Sequence, residues 1–162
     1  MYIRKAKQED LPILVSIYNQ AVLNTTATFD LDPVSIDSRQ AWFDEHMDDR
    51  FPLIVAEEGS TVMGYASLST YRSKPAYSRT VEVSVYIDEQ HQGKGLGKQL
   101  LTHIIEMARA LDYHVIIAGI TSGNDVSVKL HKQFGFVKCG EMKEVGFKFG
   151  SWQDVLFYQL FL

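Results

Sequence analysis

Apolar positions along this chain recur with two periods, and the switches between them mark its elements. Tyr2 to Ala6 reads as a short strand. Behind Asp10, which reads as an N-cap, Leu11, Leu14, Val15, Tyr18 and Val22 recur at helical spacing. Residues 24–37 are rich in Thr and Asp and contain Pro33, so they read as loop. Ser38 to Met47 reads as a second short helix. Leu53–Glu57 and Val62–Ser69 are strands around Glu58-Gly59-Ser60, a hairpin turn signal. Tyr71 to Arg79 is a polar loop holding Pro75, and Val81 to Ile87 alternates like a strand. Leu96, Leu100, Leu101, Ile104, Ile105, Ala108 and Leu111 form one apolar face of a long helix. His114 to Ile120 is a buried strand. Asn124 to Phe134 is a helix, and Phe136–Val145 and Asp154–Leu160 close the chain as two strands. The order β, α, α, β, β, β, α, β, α, β, β implies one α/β domain over residues 1–162, built on a mixed sheet rather than a doubly wound one.

The strand at 81–87 and the long helix are joined by Gln92-Gly93-Lys94-Gly95-Leu96-Gly97-Lys98. Glycines at alternate positions strip side chains from a tight strand-to-helix turn, so bare N–H groups can close around an anion at the helix N-terminus. Two lysines add positive charge, so a phosphate-bearing, nucleotide-like cofactor is the first inference, the alternative being a glycine turn with no ligand. Two familiar phosphate loops fail on particular residues. A Rossmann fingerprint needs G-x-G-x-x-G and an acid at the end of the next strand; this chain has G-x-G-x-G and no such acid. A Walker A loop needs four residues between its glycines and a hydroxyl after the lysine; Gly93 to Gly97 encloses three, and Gln99 stands where the hydroxyl belongs.

Composition narrows the partners. The chain has 162 residues, 46% apolar and 22% charged, with a net charge of -4. That balance argues against nucleic acid, since no basic stripe appears. Arg72, Lys74, Arg79, Lys94 and Lys98 cluster locally, which suits small anions. Cys139 is the only cysteine, so a disulfide framework or a cysteine-based zinc site is not expected, and no metal is. With no secretory leader and no long apolar run, the expectation is a soluble cytoplasmic protein without a membrane partner.

Gln92-x-x-Gly95-x-Gly97 between a strand and a long helix resembles the acetyl-CoA pyrophosphate loop of the GNAT superfamily of N-acetyltransferases. Asn124-x-x-Ser127-x-x-Leu130-His131-x-x-Phe134-Gly135-Phe136 looks like that superfamily's later cofactor-side motif. Within it, the chain is similar to the phosphinothricin and methionine sulfoximine N-acetyltransferases. The matching segments are Ile17-Tyr18-Asn19, Arg50-Phe51-Pro52 with Val55-Ala56-Glu57, Thr80-Val81-Glu82-x-Ser84-Val85-Tyr86-Ile87, His91 to Gly97, and the tail Gly146-Phe147-Lys148-x-Gly150-x-Trp152-x-Asp154-Val155. The resemblance covers nearly the whole chain. It implies a GNAT fold, α/β (α+β), with a central mixed sheet of about seven strands and about four flanking helices.

The resemblance also implies site roles. The strand before the glycine loop would splay from its neighbour at a bulge, and Val85, Tyr86 and Ile87 would pair with the pantetheine arm of acetyl-CoA. The Val85 N–H would be the oxyanion donor. Gln92, Gly93, Lys94, Gly95, Leu96, Gly97 and Lys98 would wrap the pyrophosphate. Asn124, as pantetheine ligand or helix N-cap, and Ser127 complete the cofactor set. Glu82 is the candidate general base: strand alternation puts Glu82, Ser84 and Tyr86 on one face and Val81, Val83, Val85 and Ile87 on the other, and an acid in an apolar strand is costly unless it faces a polar cleft. The alternative for Glu82 is a solvent-facing side chain. His131 stands where many members carry a tyrosine acid; it is either the proton donor to the leaving thiolate or a packed helix histidine.

The implied substrates are amino acids with a polar tetrahedral head, a phosphinate or a sulfoximine, acetylated on the α-amine. Arg72 and Lys74 would supply cations, with Lys74 equally readable as surface charge. Ser73, Val83, Ser84 and Glu82 would supply neighbouring contacts, and Phe29 and Tyr71 aromatic walls. Related enzymes are dimers, so a homodimer is expected, with Lys148 and Trp152 of the tail reaching toward the partner's site. Two other readings stay open: acetylation of a protein N-terminus or another small amine, and an acyl-CoA-binding sensor without turnover.

Overall fold

The computed structural model describes every residue from Met1 to Leu162. In chain order its elements are β1 (Tyr2–Lys5), α1 (Leu11–Asn24), α2 (Ile36–Glu45), β2 (Leu53–Glu58), β3 (Thr61–Thr70), β4 (Thr80–Ile87), α3 (Leu96–Ala110), β5 (Val115–Thr121), α4 (Asp125–Gln133), β6 (Val137–Lys148) and β7 (Ser151–Phe161). That is the order the hydrophobic pattern predicts, with short 3-10 turns between some elements. The seven strands form one sheet in the order β1-β2-β3-β4-β5-β7-β6. All neighbours pair antiparallel except β4 and β5, which run parallel.

Strand alternation sorts the core onto the two faces of the sheet. Ile54, Ala66, Leu68, Val81 and Val83 join Leu100, Leu101 and Ile104 of α3 in one cluster. Leu53, Val55 and Tyr65 join Leu11, Leu14 and Ile17 of α1 and Phe43 of α2 in the other. A side chain such as Leu100, with no exposed surface, is worth about 2–5 kcal/mol against truncation to alanine.

Three local expectations need correction. Asp10 occupies the position before α1 but does not cap it. Its carboxylate instead accepts from both Arg4 terminal nitrogens, at 2.8 and 2.9 Å, and from the Lys7 N–H at 2.7 Å. The buried carboxylate takes the partner with the larger charge. Helix α2 begins at Ile36, two residues before the expected Ser38, because Ser35 caps it: its hydroxyl accepts from the Ser38 N–H while the Ser38 hydroxyl accepts from the Ser35 N–H. The closing hairpin is longer than expected, since β6 runs through the glycine and lysine of the tail to Lys148. Its turn is Phe149-Gly150, with φ of 53° and 72°, a two-residue connection of the kind that matches strand twist. Between Met142 and Gly146 the β6 register shifts, and Asp154 fills the gap by accepting from the Glu144 N–H at 2.8 Å.

Candidate active site

Strand β4 is paired along its whole length on one side and over three residues on the other. Toward β3 the register is unbroken, from Thr70↔Val81 to Gly64↔Ile87. Toward β5 it covers only Thr80↔Val115, Val81↔Ile116 and Glu82↔Ile117. Beyond that β5 continues to Thr121, held by β7, and the two strands part. The splay is therefore real, but its expected cause is not: β4 has no bulge, and the opening comes from parallel pairing that stops at Glu82.

Backbone direction in the opening follows from the ends of the strand. The Asp88 N–H donates to Met63 on the β3 side, while the Arg79 carbonyl accepts from His114 and Val115 on the β5 side. Because backbone groups alternate sides along a strand, the N–H and C=O groups of Val83, Val85 and Ile87 face the opening. They line a cleft of about 1160 Å³ whose opposite wall is Ala118, Gly119 and Ile120 of β5.

The glycine turn closes one end of this cleft. Gln92, Gly93, Gly95, Leu96, Gly97 and Lys98 line it; Lys94 does not, and is exposed. Gly93 and Gly95 have φ of 76° and 77°, and nothing lies within 4 Å of a Cβ built on either. Side chains are excluded there by conformation, and the space above the bare N–H groups stays open for an anion. Gly97 serves differently: its Cβ would meet Leu130 at 3.1 Å, so it lets α3 and α4 approach. Leu96 offers the turn only backbone, its side chain being buried in the core.

Helix α4 supplies the adjoining wall with Asn124, Ser127, Lys129, Leu130 and His131. Asn124 caps the helix by accepting from the Ser127 N–H at 3.2 Å. The His131 ring is buried edge-on to Phe136 with centroids 5.0 Å apart. Its Nδ1 lies 2.7 Å from the Ser127 carbonyl, which requires that nitrogen to carry the proton. Burial lowers the pKa of His131, partly offset by that carbonyl, so the neutral ring with a free Nε2 is the favoured form near neutral pH.

Glu82 sits at the apex where β4 and β5 part. Its Oε1 is 3.7 Å from where a Cβ on Gly119 would be, so the carboxylate reaches across toward β5. Burial raises its pKa, and no cation is among the causes; it forms no ion pair. Ser84 and Tyr86 follow on the same strand face and line the cleft.

The expected substrate residues are more scattered. Tyr71, Arg72, Ser73 and Lys74 lie on the loop that leads into the Glu82 end of β4. None of the four lines the cleft, and Arg72, Ser73 and Lys74 are exposed. The Arg72 guanidinium lies 5.1 Å from the Tyr71 ring centroid. Val83 lines the cleft, but its side chain belongs to the α3 core. Phe29 packs against Gly146, where any Cβ would come within 2.5–2.8 Å of its ring. Lys148 does not reach outward: it is buried, with Nζ donating to the Thr28 carbonyl at 2.9 Å. Trp152 is exposed, its ring centroid 5.0 Å from that of exposed Phe147.

From the segment between α1 and α2 the sequence reading took only Phe29 and missed the residues before it. Thr25, Thr26 and Ala27 line the cleft, and the segment is pinned by Lys148, by Thr121 Oγ1 donating to the Thr26 carbonyl at 2.7 Å, and by the Tyr18 hydroxyl bonded to Thr28 and Asp30. Its signal was faint, because the anchors lie up to 120 residues away. Gln20 and Asn24 at the end of α1 bond Asp88 and Glu89 beyond β4, fixing the cleft mouth.

A sheet opened between two parallel strands, with a glycine turn feeding the N-terminus of a long helix, defines an acyl-CoA-type transferase fold. The family model described as acetyltransferase (GNAT) domain matches residues 3–157, and the chain belongs to that family. The L-methionine sulfoximine/L-methionine sulfone acetyltransferase of Pseudomonas aeruginosa is 47% identical over 159 residues, 98% of this chain and 92% of the relative. A Salmonella typhimurium acetyltransferase structure with its cofactor acetyl-CoA superposes with a TM-score of 0.95 at 43% identity, covering 99% and 93% of the two chains. The ribosomal-protein-alanine N-acetyltransferase structure of Brucella melitensis gives 0.97 at 43% identity, covering both chains fully, 100% and 100%. The protein is an N-acetyltransferase using acetyl-CoA.

Proposed function

We propose that the protein acetylates the α-amine of small amino-acid analogues with an oxygenated tetrahedral head, such as methionine sulfone, methionine sulfoximine or phosphinothricin, and so detoxifies inhibitors that mimic a tetrahedral intermediate. One observation carries the reading: the unpaired Val83–Ile87 edge that lines the cleft, with Glu82 next to it at the last β4–β5 pair, just outside the cleft lining. The pantetheine arm adds to this edge as a strand would, and the pyrophosphate sits over Gly93 and Gly95. Asn124 and Ser127 contact the arm from α4. Val85 N–H then donates to the carbonyl oxygen as it gains charge in the tetrahedral intermediate.

An α-ammonium must lose its proton before it can attack, and Glu82 accepts it, directly or through water. Burial raises the Glu82 pKa, which strengthens it as a base. The amine nitrogen bonds to the acetyl carbon, the C–S bond breaks, the thiolate leaves, and the nitrogen gives up its second proton to solvent to form the amide. With a pKa of roughly 8.5, the thiol can depart as the anion; His131, neutral near pH 7, donates a proton only at lower pH. Arg72 and Lys74, at the Glu82 end of β4, attract the substrate carboxylate from solvent. Exposed Phe147, Phe149 and Trp152 on the last hairpin form the contact of a homodimer. The chain works as one domain in the cytoplasm; no helix in it is long and apolar enough to cross a membrane.

Acetylation of a protein N-terminus is the second reading, favoured by likeness to the Brucella structure. Release of CoA thiol from acetyl-CoA separates the two. Turnover with methionine sulfone and sulfoximine, at least tenfold faster in kcat/KM than with an alanine-terminated peptide, is the expected result. The reverse preference would overturn the proposal.

A further inference from the structure

The gap between β4 and β5 passes through the sheet, and its two sides belong to different elements. Val83, Val85 and Ile87 turn their side chains toward the α3 core, against which α4 also packs. Tyr86 packs against the α1 core, and alternation puts Glu82 and Ser84 on that side with it. On the α1 side the cleft is lined by Thr25, Thr26 and Ala27, from the segment after α1, and by Phe149, at the tip of the last hairpin. An amine that loses its proton to Glu82 approaches from this side, past these two pieces.

One cation joins the two pieces. Lys148 is only 3% exposed. Its ammonium makes a single hydrogen bond, to the Thr28 carbonyl at 2.9 Å, across 120 residues of chain. It also stands 5.1 Å from the centre of the Phe149 ring, within the range of cation–π attraction. It has no carboxylate partner, in contrast to Arg4 with Asp10 and Glu57. Burial lowers its pKa, and the charge of Asp30 opposes that shift. An apolar side chain of the same length would fill this space without the cost of burying a charge. What the lysine adds is a donor for the backbone of one cleft wall and a charge facing an aromatic ring of the other.

Residues 25–30 form no helix or strand, so side chains from elsewhere decide where they stand. Thr121, at the end of β5, makes a second tie by donating to the Thr26 carbonyl at 2.7 Å. Phe29 packs into the space that Gly146 leaves on the hairpin.

We infer that Lys148 is a positioning residue for acetyl transfer: it fastens the segment 25–30 to the hairpin tip and so fixes the passage by which the amine reaches Glu82. It acts through Thr28 and Phe149 and touches neither cofactor nor amine. The inference rests on Glu82 as the base and on no particular amine.

The test is Lys148→Met, which keeps the length of the side chain and removes the donor and the charge. Backbone amides of residues 25–30 should exchange hydrogen at least about tenfold faster, while those of β4 and α3 hold, the pattern of a local rather than a global opening. The KM for the amine should rise about tenfold, as misplacement of a substrate-positioning element produces. The KM for acetyl-CoA should hold, because the glycine turn and the β4 edge are untouched. Thr121→Val removes the second tie on the same segment and should raise the amine KM in the same way, which keeps the test decisive should the lysine variant fail to fold. An amine KM unchanged in both variants, or exchange at residues 25–30 unchanged in both, would overturn the role. Equal rises in KM for amine and acetyl-CoA would also overturn it, as the mark of general loosening. The kinetics are read with whichever of methionine sulfone and an alanine-terminated peptide turns over, so failure of the substrate proposal leaves this test standing.

Discussion

The two ends of the cleft are built from different materials. At the proposed cofactor end the groups on offer are mainly backbone: the open edge of β4, the left-handed glycines before α3, and the helix N-terminus itself. At the proposed substrate end they are side chains drawn from separate parts of the chain, among them β4, the β3–β4 loop and the α1–α2 segment. A backbone site is made within one stretch of chain, since strand, turn and helix follow each other in sequence. A side-chain site is made by folding, and its parts carry no mutual spacing. The first end suits a cofactor common to many enzymes, and the second suits selection among amines.

Glu82 stands where the two ends meet, and its removal should have the largest effect. Glu82→Gln is expected to lower kcat/KM by about 10²–10⁴-fold, the usual worth of a general base. The base works only when ionised, so the wild-type rate falls as pH drops through the Glu82 pKa. Because burial raises that pKa, the fall should lie above the ordinary glutamate range near 4.5. The Gln variant should lose this limb from its pH–rate profile. Next in size is Gly95→Ala. Its φ of 77° disfavours a side chain by about 1–2 kcal/mol, and the turn should relax away from the pyrophosphate. Acetyl-CoA affinity, measured by calorimetry, should drop about tenfold, with the preference among amines unchanged. A changed preference would show that the two ends are not separable.

Legibility in the sequence follows the same division. The element order and the α3 face were plain because apolar periodicity is local, as Leu96, Leu100, Leu101 and Ile104 show. The glycine turn was plain because conformation alone demands Gly93 and Gly95. Gly97 was read as part of the same cradle, yet it answers to Leu130 on another helix. The splay was expected for the wrong reason, since the end of β4–β5 pairing at Glu82 is a property of two strands and cannot be read in one. Lys148 looked like a surface residue of the tail until folding brought the Thr28 carbonyl to it. Arg39 drew no attention at all: an arginine in a short, mostly polar helix means nothing until Tyr18 and Trp42 flank it.

Smaller effects sharpen the contrast further. The proposed homodimer predicts a dimer in sedimentation at micromolar concentration and a shift toward monomer for Trp152→Lys, which places a charge in an apolar patch; a monomeric wild-type protein would overturn it. Acetyl-CoA affinity should hold, because the cofactor end is complete within one chain. His131→Gln should matter least. With Nδ1 committed to Ser127 and its pKa lowered, turnover near pH 8 is expected to change by less than about fivefold, within the range where the thiolate leaves unaided.

The most direct test is a crystal structure of the protein with acetyl-CoA and a slow or inert analogue of methionine sulfone lacking the amine. The thioester oxygen should lie about 2.7–3.2 Å from the Val85 nitrogen, with the pantetheine arm along Val83–Ile87 between β4 and β5. A thioester seated elsewhere, with the β4 edge bare, would contradict the account.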